Sequence, residues 1–319
     1  MHNITRNLYF RFRGAIVCQC FEYCERNELY MVVFLQILIN GLIVGSTYAL
    51  MAMGMSTQYG VARILNISHG EFIITASVIT YVLHTRTGIY PLVALVIAIP
   101  IVFFISYILH ITLYRRVKRL SANIGVFEGN AILVSFGIYL IVQNLIQTNI
   151  GSAPMRYPFM MTNVNIGGAG ISAAGLFVML ISVIICVLYN IFLSSTRLGK
   201  SIRAAAQDSQ AASFLGVKIN TTMALCFAIG GILAACAGVL MSMREQFTST
   251  SGLGYTTIAI IIVVLGGLGS IKGAMLGGFI LGIIGYAVTH FIDSVFMISV
   301  FYIIILLLLI IRPKGLLGR

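Results

Sequence analysis

Three short stretches of this 319-residue sequence hold polar side chains whose types and spacing could carry chemistry. The first is NISHGEF, residues 66–72, with a histidine and a glutamate in an apolar region. The second is residues 135–147, where polar side chains recur every four residues. The third is GKSIRAAAQDSQAASFLGVKIN, residues 199–220, which is basic and alanine-rich. None has the composition of a catalytic centre, so binding and protein contact are the expected roles.

The sequence gives no support for a catalytic, metal or nucleotide site. GKS at 199–201 lacks the earlier glycine of a phosphate loop, because Ser194 occupies that position. A cluster of Cys18, Cys20 and Cys24 has no second ligand pair at zinc-like spacing. We therefore expect no catalytic residue, no metal, no bound cofactor and no enzymatic activity in this chain.

In residues 66–72, Ser68 and Glu71 have the spacing of a capping box, in which each side chain bonds the backbone at a helix start. We predict a helix beginning here at a membrane face, with both side chains as caps. The role of His69 stays open.

The stretch 135–147 places polar side chains on one broad helix face, and they are predicted to look into a helix bundle. Hydrogen bonding between helices and the wall of a translocation path explain them equally well. The candidate path residues are Ser135, Tyr139, Gln143, Asn144 and Gln147.

Residues 199–220 have an apolar side at helical spacing, with polar residues between its two halves. One or two short helices are predicted, ending at a Gly216 cap. Asp208 either pairs with a partner protein or caps the second helix. Alanine is a weak lipid anchor, so docking into another protein is favoured over a headgroup helix. The candidate contact residues are Arg203, Ala205, Ala206, Asp208, Ala212, Leu215 and Gly216.

The composition places these stretches in a membrane protein. The chain is 59% hydrophobic and 9% charged, with a mean hydropathy of +1.02; a soluble domain carries about a quarter charged residues. We predict an all-α, polytopic transmembrane bundle of about eight to ten segments. Nine are expected, at 32–56, 67–84, 89–113, 130–149, 170–193, 221–242, 255–268, 273–291 and 293–311. The seventh is short for a full crossing.

The basic residues predict the orientation, because Lys and Arg concentrate on the cytoplasmic side. With residues 194–220 in the cytoplasm, thirteen of the twenty Lys and Arg lie in cytoplasmic connections, three lie in outer ones, and four lie in the N-terminal tail, which this orientation places outside, against the rule. The net charge of +12 thus indicates cytoplasmic loops rather than nucleic-acid binding. Residues 1–30 are predicted to be an N-terminal extension, either disordered or preceding a true start at Met31, and 31–319 the transmembrane domain.

Small residues at four-residue steps predict close helix packing in lipid. The rows are Gly41, Gly45 and Ala49; Gly230, Ala234 and Gly238; and Ala274, Gly278 and Gly282.

Three motifs resemble the permease subunits of branched-chain amino acid ABC importers. They are NGLIVGSTYALMAMGMSTQYGVARILNISHGEF (40–72), residues 199–240 including the basic stretch, and VVLGGLGSIKGAMLGGFILGIIG (263–285). The resemblance implies the ABC importer permease fold in a bacterial inner membrane. It also implies two ATPase subunits, which use ATP, a homologous or paired permease forming a heterodimer, and an extracytoplasmic substrate-binding protein. Residues 199–216 would then be the coupling helices.

Other functions remain as alternatives. The family also includes urea and short-amide permeases, so the substrate is less certain than the family. An ion-coupled secondary transporter usually has buried ionisable side chains at mid-membrane, and these segments contain almost none. A membrane-embedded enzyme would need His, Asp or Cys clustered at one depth, and no such cluster is evident.

The charge distribution predicts a cytoplasmic C-terminus. A reporter active only in the cytoplasm, fused after Arg319, should be active in cells. Activity of a periplasm-only reporter at the same position would contradict the nine-crossing orientation.

Overall fold

The computed structural model describes the backbone of residues 2–318 and the side chains of residues 30–318. The prediction that residues 1–30 are an extension lies outside the described side chains. The helices are α1 (His2–Ala62), α2 (His69–Thr87), α3 (Pro91–Leu109), α4 (Arg115–Leu120), α5 (Ile124–Ile150), α6 (Ala173–Ser195), α7 (Arg197–Gln207), α8 (Ser209–Phe214), α9 (Ile219–Ser242), α10 (Gly252–Gly266), α11 (Ile271–Phe291) and α12 (Met297–Ile311). A π-helical turn, His110–Tyr114, joins α3 to α4, and a 3-10 turn, Ser294–Phe296, precedes α12.

The all-α polytopic architecture is confirmed, and each of the nine predicted segments falls on a helix. Within residues 30–318, seven helices are long and apolar enough to cross a membrane. The other two are α2, which carries several ionisable residues, and α10, which has only 15 residues. The predicted start of the fifth segment is wrong by three residues. Strand β2 (Ala169–Ser172) pairs there with β1 (Asn163–Ile166) in an antiparallel hairpin, and α6 begins only after it.

The rows of small residues form the helix contacts that they predict. A side chain at Gly282 would lie 2.2 Å from the Cα of Gly45, and one at Gly278 would lie 2.5 Å from Ala49. The small faces of α1 and α11 therefore meet backbone to backbone. Without a hydrophobic effect between helices in lipid, such close approach is the main source of attraction.

Helix α1 runs antiparallel to α9, and these two helices define the ends of the bundle. Gly54 packs on the carbonyl of Gly230, while Gln58 bonds the carbonyl of Phe227 at 3.1 Å. One end, which we call the hairpin end, carries β1–β2, whose turn lies against Val32 and Leu35 at the described start of α1. The opposite end, the α7 end, carries α7 and α8.

The chain after α12 folds back onto the bundle at the α7 end. The backbone N–H of Leu316 donates to the carbonyl of Leu265 at 2.9 Å, and that of Leu317 donates to Gly266 at 3.1 Å. These two bonds hold the last turn of α10, so the final residues are part of the packed structure.

The α1–α11 contact predicts a sharp difference between two glycines. Gly282→Ala places a methyl group against backbone and should destabilise the protein by about 1–3 kcal/mol, lowering its melting temperature in detergent. Gly137→Ala on α5 meets no atom within 4 Å and should be neutral or slightly stabilising. Equal melting temperatures for the two variants would contradict this packing.

Candidate functional site

The connection between α1 and α2 turns back into the bundle before α2 begins. His69, the first residue of α2, has its Nε2 3.1 Å from the carbonyl oxygen of Met51. Met51 lies eleven residues before the end of α1, which is roughly 16 Å along the helix axis at 1.5 Å per residue. Helix α2 therefore starts deep within the apolar bundle, about half a hydrocarbon thickness from the end of α1.

Non-helical backbone at this depth needs partners from the protein, because lipid offers none. Asn66 lies at the centre of the network that supplies them. Its Oδ1 accepts bonds from the backbone N–H of Ser68 at 3.1 Å and the Ser68 hydroxyl at 2.7 Å. The Asn66 side-chain N–H donates to the Gln58 Oε1 of α1 at 3.3 Å. The Tyr114 hydroxyl donates to the Asn66 Oδ1 at 3.4 Å.

Two more helices complete the network with hydroxyl groups. Thr256 of α10 accepts from the N–H of Gly70 and donates to the carbonyl of Ile67, both at 2.8 Å. Ser135 of α5 accepts from the N–H of Ile67 at 3.1 Å. Sequence reasoning missed Gln58, Tyr114 and Thr256, although polar residues inside apolar runs were a usable signal.

The capping-box prediction for Ser68 and Glu71 is wrong. Ser68 is the N-cap residue of α2 by position, but its hydroxyl bonds Asn66 and makes no cap. Glu71 is fully buried, and both of its carboxylate oxygens lack a hydrogen-bond partner. The reason is depth: this helix start lies among packed helices rather than at a wet membrane face.

The expectation that the crossing segments hold almost no buried ionisable group also needs correction. Glu71, His69 and His110 are each at most 5% exposed. His69 and Glu71 are visible in the sequence, but their burial is not, because a helix start at a wet membrane face would have the same local sequence. His110 is hidden, since one polar residue barely changes an average over a crossing segment.

Helix α10 begins at the same depth as α2 but from the opposite end. Helix α9 ends at Ser242 at the hairpin end, and residues 243–251 then return to Gly252, which contacts Gly70 of α2. Helix α2 runs toward the hairpin end, where Ser77 bonds the carbonyl of Gly238 at 2.9 Å. Helix α10 runs toward the α7 end. Thus two N-termini of interrupted helices meet inside the bundle.

The predicted path residues on α5 divide into two groups. Ser135 and Tyr139 are buried in this chain. Gln143 is half-buried, while Asn144 and Gln147 are exposed, with the Asn144 amide donating back to Leu140 at 2.7 Å. The polar face is thus continuous along α5, but only its first half contacts other helices of this chain. Its role in a path stays a prediction.

Residues 199–220 form two short helices, as one of the sequence interpretations predicts. Asp208 caps α8, since its Oδ1 accepts from the N–H groups of Gln210 at 2.8 Å and Ala211 at 3.0 Å. Gly216 ends the segment in the left-handed region with φ +85°, and Val217 donates back to Ala212 at 3.1 Å. Glycine tolerates this conformation without steric strain.

The candidate contact residues on α7 and α8 do not share one surface. Helix α7 packs on α6 and α9. Ala205 and Ala212 are buried inside this chain, so their side chains are not accessible to a partner protein. Arg203, Ala206 and Asp208 are exposed. Within residues 197–216, the most exposed large apolar side chains are Leu215, at 84%, and Phe214, at 91%; sequence reasoning missed Phe214.

A cavity of about 490 Å³ opens at the hairpin end between the 151–162 segment and the end of α9. Its lining includes Arg156, Tyr157 and Arg244. Arg244 forms an ion pair with Glu245. Burial raises the pKa of Tyr157 to about 12, so its hydroxyl, 2.9 Å from the Ser242 hydroxyl, stays neutral. Among the described residues no group of histidine, cysteine and acidic side chains has a metal-binding arrangement.

Apolar crossing helices around a buried polar junction define a polytopic membrane protein. Residues 37–312 match the family described as the permease component of branched-chain amino acid transport systems, and the chain belongs to this family. No solved structure matches the chain.

Named relatives cover nearly the whole chain. It is 32% identical to the high-affinity branched-chain amino acid transport system permease protein BraD of Pseudomonas aeruginosa, over 90% of this chain and 96% of the relative. It is 30% identical to the permease protein LivH of Escherichia coli K12 with the same coverage. A match to the autoinducer 2 import permease LsrC of Klebsiella pneumoniae is 38% identical but covers only 28% of each chain.

The network predicts that Thr256 matters more than its neighbour Thr257. Thr256→Val leaves the buried N–H of Gly70 and the carbonyl of Ile67 without this partner, at about 1–3 kcal/mol for each group. Its melting temperature in detergent should fall. Thr257→Val loses only a bond to Leu253 within its own helix and should change little. A Thr256→Val protein as stable as wild type would contradict the network.

Proposed function

We propose that this protein is the membrane-spanning permease subunit of an ATP-driven ABC importer of branched-chain amino acids. It would lie in a bacterial inner membrane with its α7 end and C-terminus in the cytoplasm. Two ATPase subunits, a second permease and an extracytoplasmic binding protein would complete the importer. The match over residues 37–312, together with relatives that carry this transport name and align with 90% of the chain, is the main support.

The α7–α8 pair supports contact with an ATPase. Phe214 and Leu215 stand almost entirely outside the packed chain at the end of α8, and Ala206 of α7 is also exposed. An exposed apolar pair on a rigid, capped helix is suited to a pocket on another protein. Ala205 and Ala212 would act from within, by fixing α7 and α8 to the bundle.

The α5 face supports a path next to a second permease. Asn144 and Gln147 are exposed in this chain, yet lipid offers amides no hydrogen-bond partner. A second subunit or a polar path along this face would satisfy them. Ser135 would then join the path to the buried junction through its bond to Ile67.

Urea or a short amide remains the second candidate substrate class on the family resemblance. An ion-coupled secondary transporter is less well supported. The buried Glu71 fits that class, but the named relatives are permease proteins of multi-component transport systems.

The function is tested with the permease and its genomic partners in proteoliposomes. ATP-dependent uptake of leucine is expected, with urea uptake at background. Uptake of urea without leucine would replace the proposed substrate class, and leucine uptake driven by an ion gradient without ATP would replace the proposed mechanism.

Phe214→Asp tests the coupling surface within the same assay. The charge should prevent burial of the α8 tip in an ATPase pocket, so ATPase co-purification and leucine uptake should each fall at least about tenfold. Phe291→Asp is the matched control, since Phe291 is 70% exposed at the opposite end of the bundle. Equal co-purification of both variants would remove Phe214 from the contact.

A further inference from the structure

The Glu71 carboxylate is the least satisfied charged group in the described part of the chain. It is fully buried, and neither oxygen has a partner. Within residues 30–318 the only ion pair is that between Arg244 and Glu245, so no lysine or arginine neutralises Glu71. An ionised carboxylate in an apolar interior is unfavourable unless something compensates its charge.

The carboxylate points at the start of α10. A side chain built at Gly252 would lie 2.0 Å from the Glu71 Oε1, so only glycine leaves room for it. The first N–H groups of a helix have no partner within that helix, and they carry a partial positive charge. Glu71 itself belongs to the first turn of α2. Two positive helix ends and one carboxylate therefore occupy the same small volume.

This arrangement separates opposite charges by only a few ångströms, with no net excess of either. Its complement is a molecule that also carries both charges, such as the ammonium and carboxylate of an α-amino acid. Urea and short amides carry neither charge. Interrupted helices in membranes offer their N-termini to anionic substrate groups in the same way.

We infer that the junction of α2 and α10 is a binding site for a zwitterionic α-amino acid in transit. Its ammonium group pairs with Glu71. Its carboxylate binds the first N–H groups of α10, since those of α2 already bond Asn66, Thr256 and Ser68. The inference rests on the proposed import function and narrows its substrate class to zwitterions.

The junction is closed in this conformation, and the contact between the starts of α2 and α10 is one that can open. A side chain at Gly70 would lie 1.8 Å from the carbonyl oxygen of Gly252, so the two helix starts meet backbone to backbone at these glycines. Thr256 adds the two hydroxyl bonds across this contact. At its other end α10 leads into Gly267 and Gly269, both with positive φ, which form a tight turn. Withdrawal of α10 from α2 exposes Glu71.

Glu71→Gln tests the site because it keeps size and hydrogen-bonding capacity but removes the charge. Leucine uptake in the reconstituted importer should fall at least about tenfold, the effect of losing one charge-assisted hydrogen bond. Expression, melting temperature and ATPase co-purification should stay at wild-type level. Glu128→Gln on α5, a half-exposed position outside the junction, is the matched control.

The outcomes separate the inference from the proposed function. If wild type imports leucine and Glu71→Gln does so at the same rate, Glu71 only supports the start of α10 and the inference is wrong. If wild type imports urea and not leucine, the proposed function fails first and the zwitterion site falls with it.

A second measurement on wild-type protein covers the case in which Glu71→Gln does not fold. An apolar carbodiimide should modify Glu71, as detected by peptide mass spectrometry. Leucine under ATP turnover should reduce this labelling at least about twofold, the effect expected when a site is half occupied or more, while labelling of Glu128 stays constant. Equal labelling with and without leucine overturns the inference. Protection by sodium or potassium chloride alone, with no further effect of leucine, also overturns it, because the junction would then bind a simple cation.

Discussion

The need to satisfy backbone hydrogen bonds away from water governs this structure. Residues 64–68 enter the bundle outside any helix, and side chains of neighbouring helices supply hydrogen bonds that water would otherwise supply. The Asn66 side chain bonds Gln58, Ser68 and Tyr114. Ser135 accepts from the N–H of Ile67, and Thr256 donates to its carbonyl. Gln58, Ser135 and Thr256 lie on α1, α5 and α10, so the connection can be buried away from water only when all three helices are in place. The network therefore links the packing of the bundle to the buried, unpaired carboxylate of Glu71.

The fold was predictable from the sequence to the level of its helices. Nine apolar segments and three rows of small residues are local patterns, and each appears in the structure as the expected helix or helix contact. The hairpin at 163–172 was missed because its four-residue strands adjoin an apolar helix and share its composition. The short helices within residues 199–220 were also predictable, because the caps at Asp208 and Gly216 are formed with neighbours only a few positions away.

The candidate site was less predictable, because depth is a tertiary property. Ser68 and Glu71 have the same spacing whether a helix starts in water or among other helices, and only the contact of His69 with Met51 distinguishes the two. The meeting of Gly70 with Gly252 joins residues 182 positions apart, and no periodicity in either segment indicates it. Likewise, the burial of Ala205 and the exposure of Phe214 depend on how α7 packs against α9, which the alanine-rich pattern leaves open.

The folded-back residues after α12 have a practical consequence for handling the protein. Leu316 and Leu317 hydrogen-bond the last turn of α10, so an affinity tag or fluorescent protein fused after Arg319 is tethered only a few residues from a helix that meets α2 inside the bundle. A short rigid linker would transmit load from the fusion partner to that helix. A long glycine- and serine-rich linker avoids this, because flexible chains of that composition behave as random coils and exert little directed force.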